Sequence, residues 1–145
     1  RHIMKTLLIL LLLIPLSLFA QKKNYNFEFT FVFGDCFRGD SVDVKIQNLP
    51  IISGKVNSGT AGKANLSITQ QYNYLSIFYN GKTTKAKKIN SNPSLKVEFC
   101  LNGQWYIYNF NLKNGVIFLI QYCNDEKTKK KIFTVEQGNE PLLFI

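Results

Sequence analysis

Hydrophobic and polar residues alternate along most of the chain after position 24. The first run, residues 25–33 (YNFEFTFVF), places aromatic side chains on one face and mainly polar ones on the other. A period of two is typical of a β-strand with one buried face. No later segment has a helical period. We therefore predict an all-β chain with further strands at residues 42–47, 51–56, 65–69, 74–79, 83–89, 95–101, 104–112, 116–123 and 130–135.

Three Asn-Gly pairs separate predicted strands: Asn80-Gly81, Asn102-Gly103 and Asn114-Gly115. Both residue types tolerate the positive φ that a tight hairpin turn requires. The sequence therefore predicts three β-hairpins, each centred on one of these pairs.

Many short strands without crossover helices form either a two-sheet sandwich or a closed β-barrel. The run 116–120 (VIFLI) is apolar on both faces, which favours a strand covered from both sides. We therefore predict an antiparallel two-sheet β-sandwich, with the β-barrel as the alternative. Residues 40–79 resemble the small Greek-key sandwiches of immunoglobulin-like and transthyretin-like modules, a resemblance that implies a fold and no function.

The first twenty residues have the layout of a secretory signal peptide: basic Lys5, an apolar run and the small Ala20. The run is about 14 residues long and contains Pro15, whereas a helix that spans a bilayer needs roughly 20 residues. The letters LFAQ at 18–21 resemble the signal ends of many exported proteins of the Bacteroidota. Residues 1–3, ahead of Met4, are interpreted as an extension outside the natural protein.

From this leader we expect cleavage before Gln21, a secreted or periplasmic location, and no transmembrane anchor after cleavage. Residues 1–20 then comprise the extension and the signal peptide, and residues 21–145 form a single domain. Export also makes a disulfide plausible for some of the cysteines.

The three cysteines are Cys36, Cys100 and Cys123. If the Asn102-Gly103 and Asn114-Gly115 hairpins form, Phe99 pairs with Tyr106, and Tyr106 pairs with Cys123. Cys100 then lies on the opposite face, too far from Cys123 to bond with it. We therefore predict a Cys36–Cys123 disulfide and a free Cys100, with three unpaired cysteines as the alternative.

Catalytic chemistry has little support in the residue inventory. The only histidine, His2, precedes the expected leader, so residues 21–145 contain no imidazole to act as a general base or metal ligand. This excludes Ser-His and Cys-His nucleophile schemes. No phosphate-binding glycine loop or Cys-x-x-Cys motif occurs. We predict a non-enzymatic protein that requires no cofactor and no metal.

The loop 34–43 (GDCFRGDSVD) contains the other short motifs. Residues 38–41 read RGDS and resemble the integrin-recognition tripeptide, although turn formation explains the same residues. Residues 40–42 resemble the acceptor pattern for O-linked glycans on exported Bacteroidota proteins, which would make Ser41 a modified surface residue. If Cys36 bonds to Cys123, the loop brings Asp35 and Asp40 close to Asp125 and Glu126. These four carboxylates could then form a calcium site, an alternative interpretation, although their spacing matches no known calcium-binding loop.

The net charge is +9, from 18 basic and 9 acidic residues. The lysines concentrate after two predicted hairpin turns, near Tyr72, Tyr74 and Tyr79, where lysines could follow anionic groups and aromatic rings could stack on sugars. The alternative is that these lysines only solubilise exposed edges. We predict that they are exposed and that reversing Lys129, Lys130 and Lys131 to Glu would abolish binding of an anionic polymer while leaving the fold intact. The two groups are Lys82, Lys85, Lys87 and Lys88, and Lys127, Lys129, Lys130 and Lys131.

These observations favour a secreted or periplasmic binding protein of the cell envelope, with an anionic glycan or other anionic polymer as the partner. Export makes nucleic acid an unexpected target. The alternative is an exported inhibitor or immunity protein that binds an acidic enzyme or toxin. The sequence does not fix the oligomeric state.

Overall fold

The structure, a computed structural model, describes residues 27–59, 62–71, 74–90 and 93–140. The expected signal peptide, Tyr72 and the start of the first predicted strand lie outside the described residues. The strands are β1 (Phe29–Phe33), β2 (Arg38–Ile46), β3 (Leu49–Asn57), β4 (Leu66–Gln70), β5 (Tyr74–Tyr79), β6 (Lys82–Lys87), β7 (Ser94–Leu101), β8 (Gln104–Asn111), β9 (Ile117–Asn124) and β10 (Lys131–Gly138).

These strands form two sheets that pack face to face. The larger sheet has the order β10-β9-β1-β4-β5-β6, and the smaller sheet has the order β3-β2-β7-β8. The predicted two-sheet sandwich is confirmed. Each sheet ends in two edge strands, so the alternative of a single closed sheet is wrong for the described residues.

One strand pair departs from the antiparallel prediction. β1 pairs with β9 in parallel, with Thr30 opposite Ile117 and Phe33 opposite Ile120. β1 therefore lies in the middle of the larger sheet, between β9 and β4. Residues 117–120 of the two-sided apolar run belong to β9, which lies inside the larger sheet between β10 and β1.

Aromatic rings fill the space between the sheets. Phe29, Phe31 and Phe33 of β1 are each at most 1% exposed. Phe31 stacks on Phe118, with ring centroids 4.6 Å apart, and also contacts Phe99 of the smaller sheet. The period-two pattern of the first strand thus translates directly into the core, because alternate side chains of a strand point to the same face.

Two of the three predicted hairpins are confirmed. Asn80-Gly81 joins β5 to β6 and Asn102-Gly103 joins β7 to β8, with positive φ at all four residues. A further two-residue turn joins β2 to β3 at Gln47-Asn48, again with positive φ at both positions. It lacks glycine, which is why the sequence pattern did not reveal it.

The predicted hairpin at Asn114-Gly115 is wrong. Residues Leu112–Asn114 form a short 3-10 helix, and the Asn111 side chain accepts a hydrogen bond from the Lys113 amide at its start. The chain then crosses from β8 in the smaller sheet to β9 in the larger one. The two-sided apolar β9 requires a place inside a sheet, and this requirement overrides the local turn signal.

Candidate functional site

Cys36 and Cys123 form a disulfide, with a Cα–Cα distance of 4.9 Å, and Cys100 is free and buried. The predicted pairing is confirmed, and so is the register of Phe99 with Tyr106. The predicted pairing of Tyr106 with Cys123 is wrong, because β8 and β9 belong to different sheets.

The parallel pairing of β1 with β9, called the β1–β9 seam below, explains why these two cysteines meet. Thr30 and Ile117 have the same sequence offset, 87 residues, as Cys36 and Cys123. Because parallel pairing preserves a constant offset, extending the register of Phe33 and Ile120 by three residues brings the two cysteines together. The disulfide therefore continues the seam beyond its last paired residues.

A buried carboxylate lies at the same end of the sandwich. Asp40 of β2 is 6% exposed. It accepts hydrogen bonds from the Arg38 amide at 2.9 Å, the Asn102 side-chain amide at 2.9 Å and Lys131 Nζ at 2.7 Å. Lys131 also lies 4.7 Å from the centroid of the Tyr122 ring. Since β2 and β10 belong to different sheets, the ion pair joins the two layers.

The environment of Asp40 changes the pKa of its carboxyl group. Burial alone would raise that pKa, because it disfavours the charged form. The hydrogen bonds from Lys131, from the Arg38 amide and from Asn102 act in the opposite direction and outweigh burial. The pKa of Asp40 is therefore lowered, and the carboxylate stays ionised beside Lys131 at neutral pH.

This arrangement bears on the motifs of the 34–43 loop. An integrin ligand needs an accessible carboxylate, whereas Asp40 is buried and bonded within the chain. The calcium alternative fails for the same carboxylate, and no three His, Cys, Asp or Glu residues gather into a metal-binding group within the part of the chain that the structure describes. Ser41, the predicted modification site, has an exposed side chain on β2.

The first lysine group lies on β6, an edge strand of the larger sheet. Lys82 and Lys85 are exposed, and Lys88 follows the strand. Lys85 Nζ lies 4.4 Å from the centroid of the Tyr74 ring on β5, and Phe78, on the same outer face, is 40% exposed. β6 and its neighbour β5 thus present cationic and aromatic groups side by side. Lys87 is the last residue of the strand.

The second lysine group spans the loop between β9 and β10 and the first residue of β10, Lys131. Asp125 fixes this loop, because its carboxylate accepts a hydrogen bond from the Thr128 amide at 2.7 Å. Three members are exposed, but the fourth, Lys131, binds Asp40. The expectation that Lys129–131 can all be reversed without affecting the fold is therefore wrong for Lys131. The exposed members are Lys127, Lys129 and Lys130.

The two lysine groups do not form one groove. β6 and β10 are the opposite edges of the six-stranded sheet. With a spacing of about 4.8 Å between strands, five spacings separate them by roughly 24 Å along the sheet. A ligand of ordinary size therefore contacts one group or the other.

A feature that the sequence analysis missed lies on the outer face of the smaller sheet. Trp105 is 47% exposed, and Lys45 Nζ lies 4.5 Å from the centroid of its ring. The ring borders a shallow groove of about 400 Å³ whose walls also include Asp43, Pro50 and Ile51. These residues come from three strands, so no local motif could have indicated the groove. The free Cys100, opposite Trp105 in register, is only 6% exposed.

Comparison with known proteins adds no assignment: no protein-family model, no curated protein and no solved structure matches the chain. Within the described residues, no helix is long and apolar enough to cross a membrane.

Proposed function

We propose that the protein is a non-enzymatic binding protein of an extracytoplasmic compartment, secreted or periplasmic, that recognises an anionic polymer of the cell envelope through β6. The observation that carries the proposal is the position of Lys85 over the Tyr74 ring beside the exposed Phe78. Lysine side chains track anionic groups, and aromatic faces stack on sugar rings or other planar groups. An anionic glycan offers both kinds of group.

The position of β6 suits an extended ligand. Lys82 and Lys85 lie three residues apart on the edge strand β6, so their side chains leave opposite faces of the strand and flank its free edge. A polymer can run along this edge without entering a pocket. The exposed lysines of the β9–β10 loop lie at the other edge and provide a second, weaker contact for a long polymer. Lys131 is excluded from this contact because its ammonium group binds Asp40.

The disulfide supports the proposed compartment. Disulfides persist in oxidising surroundings such as the periplasm and the extracellular space, and they are rare in the cytosol. The Cys36–Cys123 bond therefore agrees with export through the signal peptide predicted at residues 1–20. Ser41, exposed on β2, remains the proposed site of O-glycosylation in that compartment.

Binding to immobilised heparin and to lipopolysaccharide, with neutral dextran as the reference, tests the proposal. Affinity for the anionic polymers should fall steeply from low to physiological salt, because each neutralised charge releases a counterion. The double variant Lys82→Glu/Lys85→Glu should weaken binding by roughly tenfold or more, a change of about 1.4 kcal/mol.

The matched control is Lys129→Glu/Lys130→Glu, which changes the net charge by the same amount at the opposite edge. It should weaken binding much less. Equal losses of affinity in the two variants would show that binding depends only on the net charge of the protein, and would overturn the β6 site. Binding that ignored salt would overturn the polymer proposal, and a single stoichiometric acidic protein in a periplasmic pull-down would favour the inhibitor or immunity alternative.

A further inference from the structure

We propose that β8 is a self-association edge, at which two copies of this chain pair in antiparallel fashion and join their smaller sheets. An edge strand exposes a row of backbone N–H and C=O groups that can template another strand, and most proteins protect such edges with charges, prolines or bulges. The four edges of this sandwich differ sharply in that protection.

Three of the edges are protected. β6 has the sequence KTTKAK, and β10 contains Lys131 and Glu136. β3 contains Pro50 and Lys55, and its pairing with β2 is interrupted by a register shift. Each of these devices discourages the addition of a further strand.

β8 has none of these protections. Its sequence, QWYIYNFN, contains no charge and no proline over eight residues. The outward row includes Trp105 and Ile107, which are 47% and 61% exposed. In a chain of net charge +9, an uncharged edge is the surface at which a second copy meets the least repulsion. This charge pattern favours a copy of the chain as the occupant.

The backbone of β8 also has a self-complementary register. The two-residue turn at Asn102-Gly103 is closed by Leu101 and Gln104, so Gln104 and every second residue after it bond to β7. The backbone groups of Trp105, Ile107 and Asn109 therefore point to the free edge. Antiparallel pairing about a two-fold axis at Ile107 sets Ile107 opposite its own copy and Trp105 opposite Asn109, so all three residues are used.

The same two-fold axis keeps the lysines of the β9–β10 loop in the two copies apart. The β9–β10 loop lies near the Asn102 end of β8, because Lys131 and Asn102 both bind Asp40. An antiparallel pair places the two copies of this loop at opposite ends of the dimer, where they do not oppose each other. The contact is edge to edge and smaller than the roughly 1,200 Å² of a stable interface, so we expect a reversible dimer with micromolar affinity.

Sedimentation equilibrium, from low micromolar to near-millimolar concentration, tests the association. The intact chain should shift from monomer to dimer, and Ile107→Lys should weaken association by roughly tenfold or more, because like charges would lie directly opposite. Thr83→Lys adds the same charge on β6 and should have no such effect. Ile107 is largely exposed, so thermal unfolding of its variant should match that of the unaltered chain.

Cross-linking tests the register in a Cys100→Ala background. Ile107→Cys should form a disulfide-linked dimer, because facing residues have Cα atoms about 5.5 Å apart, within the range for a disulfide. Asn109→Cys should not, since its copy lies opposite Trp105. A monomer at every concentration, or cross-linking that favours position 109, would overturn the proposal. Slow amide exchange at Ile107 in the monomer would overturn it too, by showing that the edge is already covered.

Discussion

Lys131 Nζ lies 2.7 Å from the Asp40 carboxylate and thereby connects β10 of the larger sheet to β2 of the smaller sheet. The Asp40 side chain is 8% exposed and the Lys131 side chain 29% exposed, so water screens this pair less than it would screen one at the surface. Among the lysines of the β9–β10 region, Lys131 is thus a structural residue, whereas its neighbours face solvent.

Replacing Lys131 should therefore destabilise the fold, whereas replacing its neighbour should not. Lys131→Met removes one partner and leaves the buried Asp40 carboxylate with fewer hydrogen bonds, at a cost of about 1 to 3 kcal/mol. Lys129→Met should change the unfolding free energy by less than about 0.5 kcal/mol, as exposed surface substitutions usually do. Urea denaturation of the two variants measures the difference. Equal stability of the two would show that the ion pair contributes nothing.

Low pH should weaken the stabilisation that the Asp40–Lys131 ion pair gives to the fold. The pKa of Asp40 is lower in the folded chain than its ordinary value, so the unfolded chain binds the proton more readily. The stabilisation is complete above the unfolded pKa of about 3.9 and is lost as the pH falls through the lower, folded value. The unfolding free energy of Asp40→Asn should therefore approach that of the unaltered chain as the pH drops below about 4. A gap that stayed constant down to the acid limit would contradict this linkage.

The disulfide should contribute more to stability than the free thiol. The Cys36→Ala/Cys123→Ala variant should lose about 2 to 4 kcal/mol of unfolding free energy, because the bond closes a long loop in the unfolded chain. Cys100→Ala serves as the control and should cost less. Peptide mapping without reductant should recover the Cys36–Cys123 bond, and thiol labelling should modify Cys100 only on unfolding. Recovery of a Cys100–Cys123 bond would contradict the strand order.

Gly115 and Gly138 form a matched pair for a test of the crossover between the sheets. Gly115 has φ +146°, and an added Cβ would lie 2.6 Å from the Gly138 carbonyl oxygen. Gly115→Ala should therefore destabilise by roughly 1 to 3 kcal/mol. An added Cβ at Gly138 meets nothing within 4 Å, so Gly138→Ala should be tolerated. Thermal unfolding distinguishes the two, and a neutral Gly115→Ala would contradict the observed crossing.

Local pattern predicts most of the strands in this chain. The alternation in β1 and the Asn-Gly turns at 80–81 and 102–103 act over a few residues, and the structure confirms them. The failure at Asn114-Gly115 has a non-local cause. Strand β9 is apolar on both faces and takes an interior position in the other sheet, between β10 and β1, which depends on the burial of distant residues.

The candidate sites were less predictable for the same reason. The sequence identifies Lys82 and Lys85 as a basic cluster, but the contact of Lys85 with Tyr74 depends on the register of β5 with β6. Asp40 and Lys131 are 91 residues apart in the chain, and no local signal links them. The Trp105 groove likewise depends on which strands are neighbours.

The parallel seam between β1 and β9 has a consequence for the order of folding. β1 is synthesised long before its parallel partner, because Thr30 pairs with Ile117, 87 residues further along the chain. The larger sheet therefore cannot complete until β9 and β10 have been synthesised, whereas the β2–β3 and β7–β8 hairpins of the smaller sheet can form sooner. A topology in which such distant contacts dominate folds slowly. Pairing of β1 with β9 is therefore a late step in the folding of this chain.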